Sequence, residues 1–149
     1  MSRLKIMIIN GPNLNMVGIR EKNIYGNESY DDLLAMLADY GVEKNAELDI
    51  RQSNHEGDLI DWIQELWFKG YDGAVINPGG YTHTSIALMD AVKAIAPIPV
   101  VEVHLSAVNE REEYRRVSYI REACLACYAG EGFESYRKAI DRIVALCGK

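Results

Sequence analysis

Three short polar stretches hold most of the side chains in this sequence that could move a proton. Asn77-Pro78-Gly79-Gly80-Tyr81-Thr82-His83-Thr84-Ser85 follows the apolar run Gly73 to Ile76, and Glu102-Val103-His104-Leu105-Ser106 closes another such run. Asn10-Gly11-Pro12-Asn13-Leu14-Asn15 follows Leu4 to Ile9 and continues through Gly18, Arg20, Glu21, Tyr25 and Gly26. Glycines beyond a strand let backbone N–H groups approach an oxygen-rich ligand closely, and a helix start adds its positive dipole end. Two of the three histidines, His83 and His104, fall in these stretches beside Asn, Ser, Arg and Tyr. That combination suits general acid–base chemistry, with arginines and amides left to manage charge.

Other chemistries fit less well. No group of His, Cys, Asp and Glu has metal-ligand spacing along the chain, so no metal is expected. The loop from Asn10 to Asn15 lacks the glycine patterns of dinucleotide and nucleoside triphosphate sites, and a flavin module would want a Ser/Thr-rich phosphate loop there. Ser106 with His83 or His104 could make a hydrolase on paper. No Gly-x-Ser-x-Gly elbow accompanies it, and Ser106 reads better as a hydrogen-bond donor. Cys124 and Cys127 have the spacing of a redox or zinc pair but lie in a strand-like run, where residues three apart face opposite ways. With Cys147 they are expected to be structural thiols in a reducing compartment.

The elements that must position these groups alternate along the chain. Leu4 to Ile9, Glu47 to Ser53, Gly73 to Ile76, Pro99 to Val103 and Ala123 to Ala129 read as strands. Ser29-Tyr30-Asp31-Asp32 has the form of a capping box that opens a helix carrying Leu33, Leu34, Leu37 and Tyr40 on one face. Further helices are expected over Asp58 to Lys69, Ser85 to Ala96 and Phe133 to Cys147, with His55 as local structure before the second. The long loop from Asn10 to Gly26 reads as a lid. Strands alternating with helices predict an α/β, flavodoxin-like, doubly wound sandwich: a five-stranded parallel sheet of order 2-1-3-4-5 with helices on both faces. In such a sheet ligands sit beyond the ends of strands 1, 3 and 4, where all three polar stretches fall.

Length and charge bound the rest. The 149 residues suit one domain, residues 1–149, without linker or low-complexity tract. A net charge of −6 argues against sequence-independent nucleic-acid or anionic-membrane binding and leaves a small-molecule partner. Met1-Ser2-Arg3-Leu4 enters the first strand with no leader-like segment and no long apolar span follows, so the expected location is cytoplasmic.

Taken together, the stretches resemble the signatures of the type II 3-dehydroquinate dehydratases, in order and along nearly the whole chain. Asn10 to Asn15 with Gly18, Arg20, Tyr25 and Gly26 resembles the first motif of that family, and Gln52-Ser53-Asn54-His55-Glu56-Gly57 its second. Asn77 to Ser85 with Asp90 resembles the third, and Glu102 to Ser106 with Arg111-Glu112-Glu113-Tyr114-Arg115 the fourth. The resemblance implies a cofactor-free lyase that takes water from 3-dehydroquinate, giving 3-dehydroshikimate through an enolate. It makes Tyr25 the base, Asn13 the holder of a water at the enolate oxygen, and His104 the acid, oriented by Glu102. A free phenol near pKa 10 is phenolate only about one part in a thousand at pH 7, a handicap of roughly 4 kcal/mol. Arg20 and Arg111 are the candidate cations to lower it.

By the same resemblance Asn77, Ser106 and the backbone N–H groups of Leu105 and Ser106 hold the substrate carboxylate, while His83 and Arg115 grip ring hydroxyls. Gly79 and Gly80 bring backbone close, and Asp90 reaches a neighbouring subunit's site in a homododecamer built from trimers. Lys22, Gly80, Met89, Ala107, Glu122, Ala126 and Ser135 depart from common family residues. A non-catalytic binder of a quinate-like acid is the competing expectation. A decayed site would have lost Tyr25 or His104 first, and both are present.

Overall fold

A computed structural model describes residues 3–19, 28–107 and 111–148. The strands are β1 (Leu4–Asn10), β2 (Ala46–Gln52), β3 (Gly73–Asn77), β4 (Val100–His104) and β5 (Ala126–Ala129), all parallel, in the order β2-β1-β3-β4-β5. The helices are α1 (Tyr30–Glu43), α2 (Glu56–Phe68), α3 (Ile86–Ala94) and α4 (Glu134–Cys147). The expected doubly wound, flavodoxin-like topology is therefore what the chain adopts.

The period-two rule of a strand explains the two layers. Ile6 and Ile8 of β1 face α1 and α4, where Leu33, Leu37, Tyr136, Ala139, Ile140 and Ile143 meet Val75 and Val101. Met7 and Ile9 face the other way, onto Leu59, Ile63 and Leu66 of α2 and Leu88 and Val92 of α3. Since β1, β3 and β4 are covered on both sides, they are buried along most of their length and largely apolar, with Glu102 and His104 the buried polar exceptions in β4, whereas β2 at the edge carries charge at Glu47, Asp49 and Arg51. Arg51 there bridges Asp49 and Glu65 at 2.9 Å each and blunts the open edge.

Local signals set most boundaries. Ser29 Oγ accepts from the Asp32 N–H at 3.1 Å and Asp32 Oδ2 from the Ser29 N–H at 2.9 Å, so the expected capping box is formed. α2 starts earlier than its apolar pattern suggests, at Glu56, with His55 as N-cap accepting through its carbonyl from the Asp58 and Leu59 N–H groups. α3 ends at Ala94, short of the expected Ala96, because Pro97 restrains the residue before it from helical geometry. β5 is shorter than expected: Ile120–Ala123 forms a 3-10 turn, and Ile120, 1% exposed, is buried in the α2/α3 layer, leaving only Ala126 onward to pair.

At the carboxyl ends of β1 and β3 the chain is tightly constrained. Asn10 and Asn77 are register partners, and the Gly11 N–H donates to the Asn77 carbonyl at 2.7 Å. A Cβ on Gly11 would lie 2.7 Å from the Pro78 carbonyl oxygen, and one on Gly79, at φ +60°, 2.8 Å from that of Pro12. The two loops therefore cross back to back, where only glycine fits. Beneath them, the fully buried Tyr136 of α4 donates its hydroxyl to Asn10 Oδ1 at 2.6 Å and accepts from Asn77 Nδ2 at 3.1 Å. Tyr136→Phe would leave both asparagines short of a partner in a dry interior, at a cost of about 1–3 kcal/mol. Urea unfolding should show a lower midpoint at unchanged m-value, and an unshifted midpoint would refute that account.

Candidate active site

The crossing loops and the end of β4 enclose a cleft that is open to solvent at its mouth. Its walls are Pro12, Asn13 and Leu14 after β1, Asn77, Gly79, Gly80 and His83 after β3, and His104, Leu105 and Ser106 at β4, closed by Arg111 and Arg115. Nine of the expected site residues thus converge here: Asn13, Asn77, Gly79, Gly80, His83, His104, Leu105, Ser106 and Arg115. Glu102 lies behind His104, fully buried. Asp90 sits exposed on α3 and does not line this cleft. Arg20 and Tyr25, with most of the expected lid, lie outside the described residues.

Each wall residue is fixed by its neighbours. Asn77 Oδ1 accepts from the Gly79 N–H at 3.2 Å while its Nδ2 serves Tyr136, which leaves one amide hydrogen for a ligand. Asn13 adopts a left-handed backbone, φ 71°, that asparagine tolerates better than most residues. Its N–H donates to Asn54 Oδ1 at 3.0 Å, and Gln52 Nε2 donates to both Asn54 Oδ1 and the Gly11 carbonyl at 3.1 Å. The stretch after β2 therefore braces the first loop from outside, a role that its place away from the switch point had concealed. Tyr81, whose hydroxyl donates to the Asn54 carbonyl at 3.1 Å, ties the loop after β3 to the same brace.

The partners of the two histidines set which nitrogen carries hydrogen. His83 Nδ1 lies 2.6 Å from the Val117 carbonyl, which can only accept, so Nδ1–H donates and Nε2 is the free nitrogen. Burial lowers the His83 pKa, the Val117 bond works in the opposite direction, and His104, Arg115 and Arg111 lower it further. The neutral ring therefore offers Nε2 as an acceptor, suited to a hydroxyl. His104 Nε2 donates to Glu102 Oε2 at 2.5 Å, which reserves Nδ1 for exchange with a ligand. Burial alone would lift the Glu102 pKa, but the His104 contact and then Arg121 outweigh it and hold the carboxyl below its usual value, ionised at neutral pH.

Spacing along the chain misses two features around Glu102. Ser118 Oγ donates to Oε2 at 2.9 Å, and Arg121 reaches Oε2 through Nη2 at 3.3 Å and Oε1 through Nε at 3.4 Å. Neither residue lies in a polar stretch that would flag it. The second is a correction: Glu102, His104 and Cys127 bring one donor atom each within 4.8 Å of one another, a metal-like grouping that linear spacing excluded. It arises because β5 lies beside β4 with Cys127 in register with Glu102. The cation beside it is the Arg121 guanidinium. Burial first and the Glu102 charge second push the Cys127 thiol up to about 11, with Arg121 pulling the other way, so it stays protonated and a poor ligand at neutral pH. All three cysteines are free and half-buried rather than fully buried.

Comparison with known proteins agrees with this fold. Residues 4–144 match the family model described as dehydroquinase class II. The chain is 49% identical over 148 residues to the 3-dehydroquinate dehydratase of Fusobacterium nucleatum, covering 98% of this chain and 100% of that one. The crystal structure of the type II dehydroquinase from Butyrivibrio crossotus is similar at a TM-score of 0.93 and 52% identity, over 95% of this chain and 97% of that one. That of Propionibacterium acnes follows at 0.90 and 34%, over 97% and 99%. This chain belongs to the class II dehydroquinase family.

Proposed function

We propose that the protein dehydrates 3-dehydroquinate to 3-dehydroshikimate by proton transfer alone, without a cofactor. The observation that carries the reading is the buried Glu102–His104 pair, 2.5 Å apart, at the edge of a cleft whose other walls offer Asn77, His83 and Arg115. Tyr25 removes the proton next to the ring ketone, and Arg20 and Arg111 favour its phenolate. Asn13 holds a water at the enolate oxygen, where negative charge develops. His104 then protonates the departing hydroxyl, so one proton and one hydroxide leave as water. Glu102 fixes the ring that does it.

The substrate carboxylate is held by Asn77, Ser106 and the backbone N–H groups of Leu105 and Ser106, with Gly79 and Gly80 keeping the opposite wall close. His83 accepts from one ring hydroxyl through Nε2 and Arg115 donates to another. Residues 1–149 act as one domain, in the cytoplasm and without nucleic-acid or membrane partners; among the described residues no helix is long and apolar enough to cross a membrane. Asp90 serves a neighbouring subunit's cleft in a dodecamer of trimers. The exposed Ile86, one turn before Asp90 on α3, supports a contact surface there.

Formation of the conjugated enone can be followed by ultraviolet absorbance. Wild type should turn over 3-dehydroquinate, and Tyr25→Phe or His104→Ala should each lower kcat by at least about a hundred-fold. No turnover by wild type would sink the assignment, and a Tyr25→Phe rate equal to wild type would remove Tyr25 as base. Borohydride added with substrate should leave activity intact, since no Schiff base forms. His83→Ala should raise KM by about ten-fold with a smaller change in kcat, as expected for one lost hydrogen bond to a bound hydroxyl. A change in kcat alone would assign His83 to the chemical step.

A further inference from the structure

We propose that Arg121 is a positioning residue for the proton donor: it balances the buried Glu102 carboxylate, so that the Glu102–His104 pair can release a proton without stranding an anion in the interior. The proposal rests on the dehydratase reading and adds to it a residue outside the substrate cleft. Arg121 sits on the 3-10 turn Ile120–Ala123, beside β4, and does not line that cleft.

The charge bookkeeping around Glu102 leads to it. Its carboxylate is fully buried, and Oε2 takes three donors, from His104, Ser118 and Arg121. Before the transfer a protonated His104 and Arg121 both face the anion. Afterwards His104 is neutral, Ser118 contributes a dipole but no charge, and Arg121 remains as counter-charge. A buried carboxylate stripped of its opposite charge is strongly destabilised.

The other titratable groups nearby do not substitute for Arg121. Cys127 on β5, with its thiol pushed up to about 11, and Cys124 just before β5, raised further chiefly by burial, stay neutral. His83, Arg111 and Arg115 line the cleft together with His104, on the side of the pair away from Arg121, which does not line it. Burial opposes the Arg121 charge, yet Glu102 first and Cys127 second outweigh it and raise the Arg121 pKa, so the guanidinium stays charged throughout.

Glu102 and His104 are hydrogen-bonded to each other, so a proton on His104 and the carboxylate charge beside it form one electrostatic unit. That unit is net neutral with the proton and carries −1 without it. A fixed cation favours the second state, whichever partner held the proton. Losing the cation makes the pair a weaker acid.

The test is the pH dependence of kcat with 3-dehydroquinate for wild type, Arg121→Gln and Arg121→Lys, with thermal melts alongside. Arg121→Gln should lower kcat by roughly ten-fold at little change in KM and move the alkaline limb of the profile upward by about one pH unit. Arg121→Lys should restore the limb to its wild-type position. An alkaline limb unmoved in Arg121→Gln overturns the proposal, because a merely structural role would lower stability and rate without displacing it. Should Arg121→Gln not fold, Arg121→Met carries the test: an alkaline limb moved upward supports the proposal and an unmoved one overturns it. Wild type that fails to turn over overturns the dehydratase reading, and this proposal with it; wild type that turns over while the limb stays put overturns this proposal alone.

Discussion

Two asparagines at the ends of adjacent strands share one buried phenol, and the site is built outward from that arrangement. Asn10 and Asn77 stand in register, and Tyr136 on α4 accepts from one and donates to the other. A fully buried tyrosine must place its hydroxyl, and buried amides must be paired, so the three side chains fix one another. Once β1 and β3 end flush, their loops have to pass each other at backbone contact, which explains Gly11 and Gly79 at the crossing. That crossing sets the wall on which Asn13, Asn77 and Gly80 are displayed.

On the opposite side the organising constraint is electrostatic. A carboxylate placed at Glu102, inside a sheet covered by helices, must be compensated on the spot. His104 and Arg121 do this, one facing the cleft and the other outside it. Hydrogen-bond logic then assigns the exchanging nitrogen on each histidine: Nδ1 on His104, because Glu102 occupies Nε2, and Nε2 on His83, because Val117 occupies Nδ1. Two histidines of the same intrinsic chemistry thereby present different ring nitrogens, Nδ1 on His104 and Nε2 on His83.

The brace from β2 links the two sides. Gln52 and Asn54 reach the first loop, and Tyr81 in the loop after β3 bonds back to Asn54, so the edge strand helps hold a cleft it does not line. A stretch can therefore matter to a site through the loops it holds, without facing the ligand at all.

Much of this was legible along the chain because it depends on local periodicity. The alternation of Ile6 and Ile8 with Met7 and Ile9, the Ser29–Asp32 capping box and the repeated strand-then-helix order imply a doubly wound sheet, and that topology places His83, His104 and Asn13 at one edge. The residue types of the polar stretches pointed to proton transfer as the chemistry they suit best. What depended on packing between distant segments was not legible: the 3-10 turn that shortens β5, the Glu102–His104–Cys127 grouping, and Arg121 behind it. Cys127 meets Glu102 only because β5 pairs with β4, and Arg121 reaches the same carboxylate only because the buried Ile120 draws the turn against the sheet. Residue type and spacing thus determined which groups could act and which strand ends carried them, since both follow from backbone period. The tertiary structure decided which charges meet and which nitrogen is free, since a buried charge and a hydrogen bond answer to whatever lies within a few ångströms, wherever it falls in the chain.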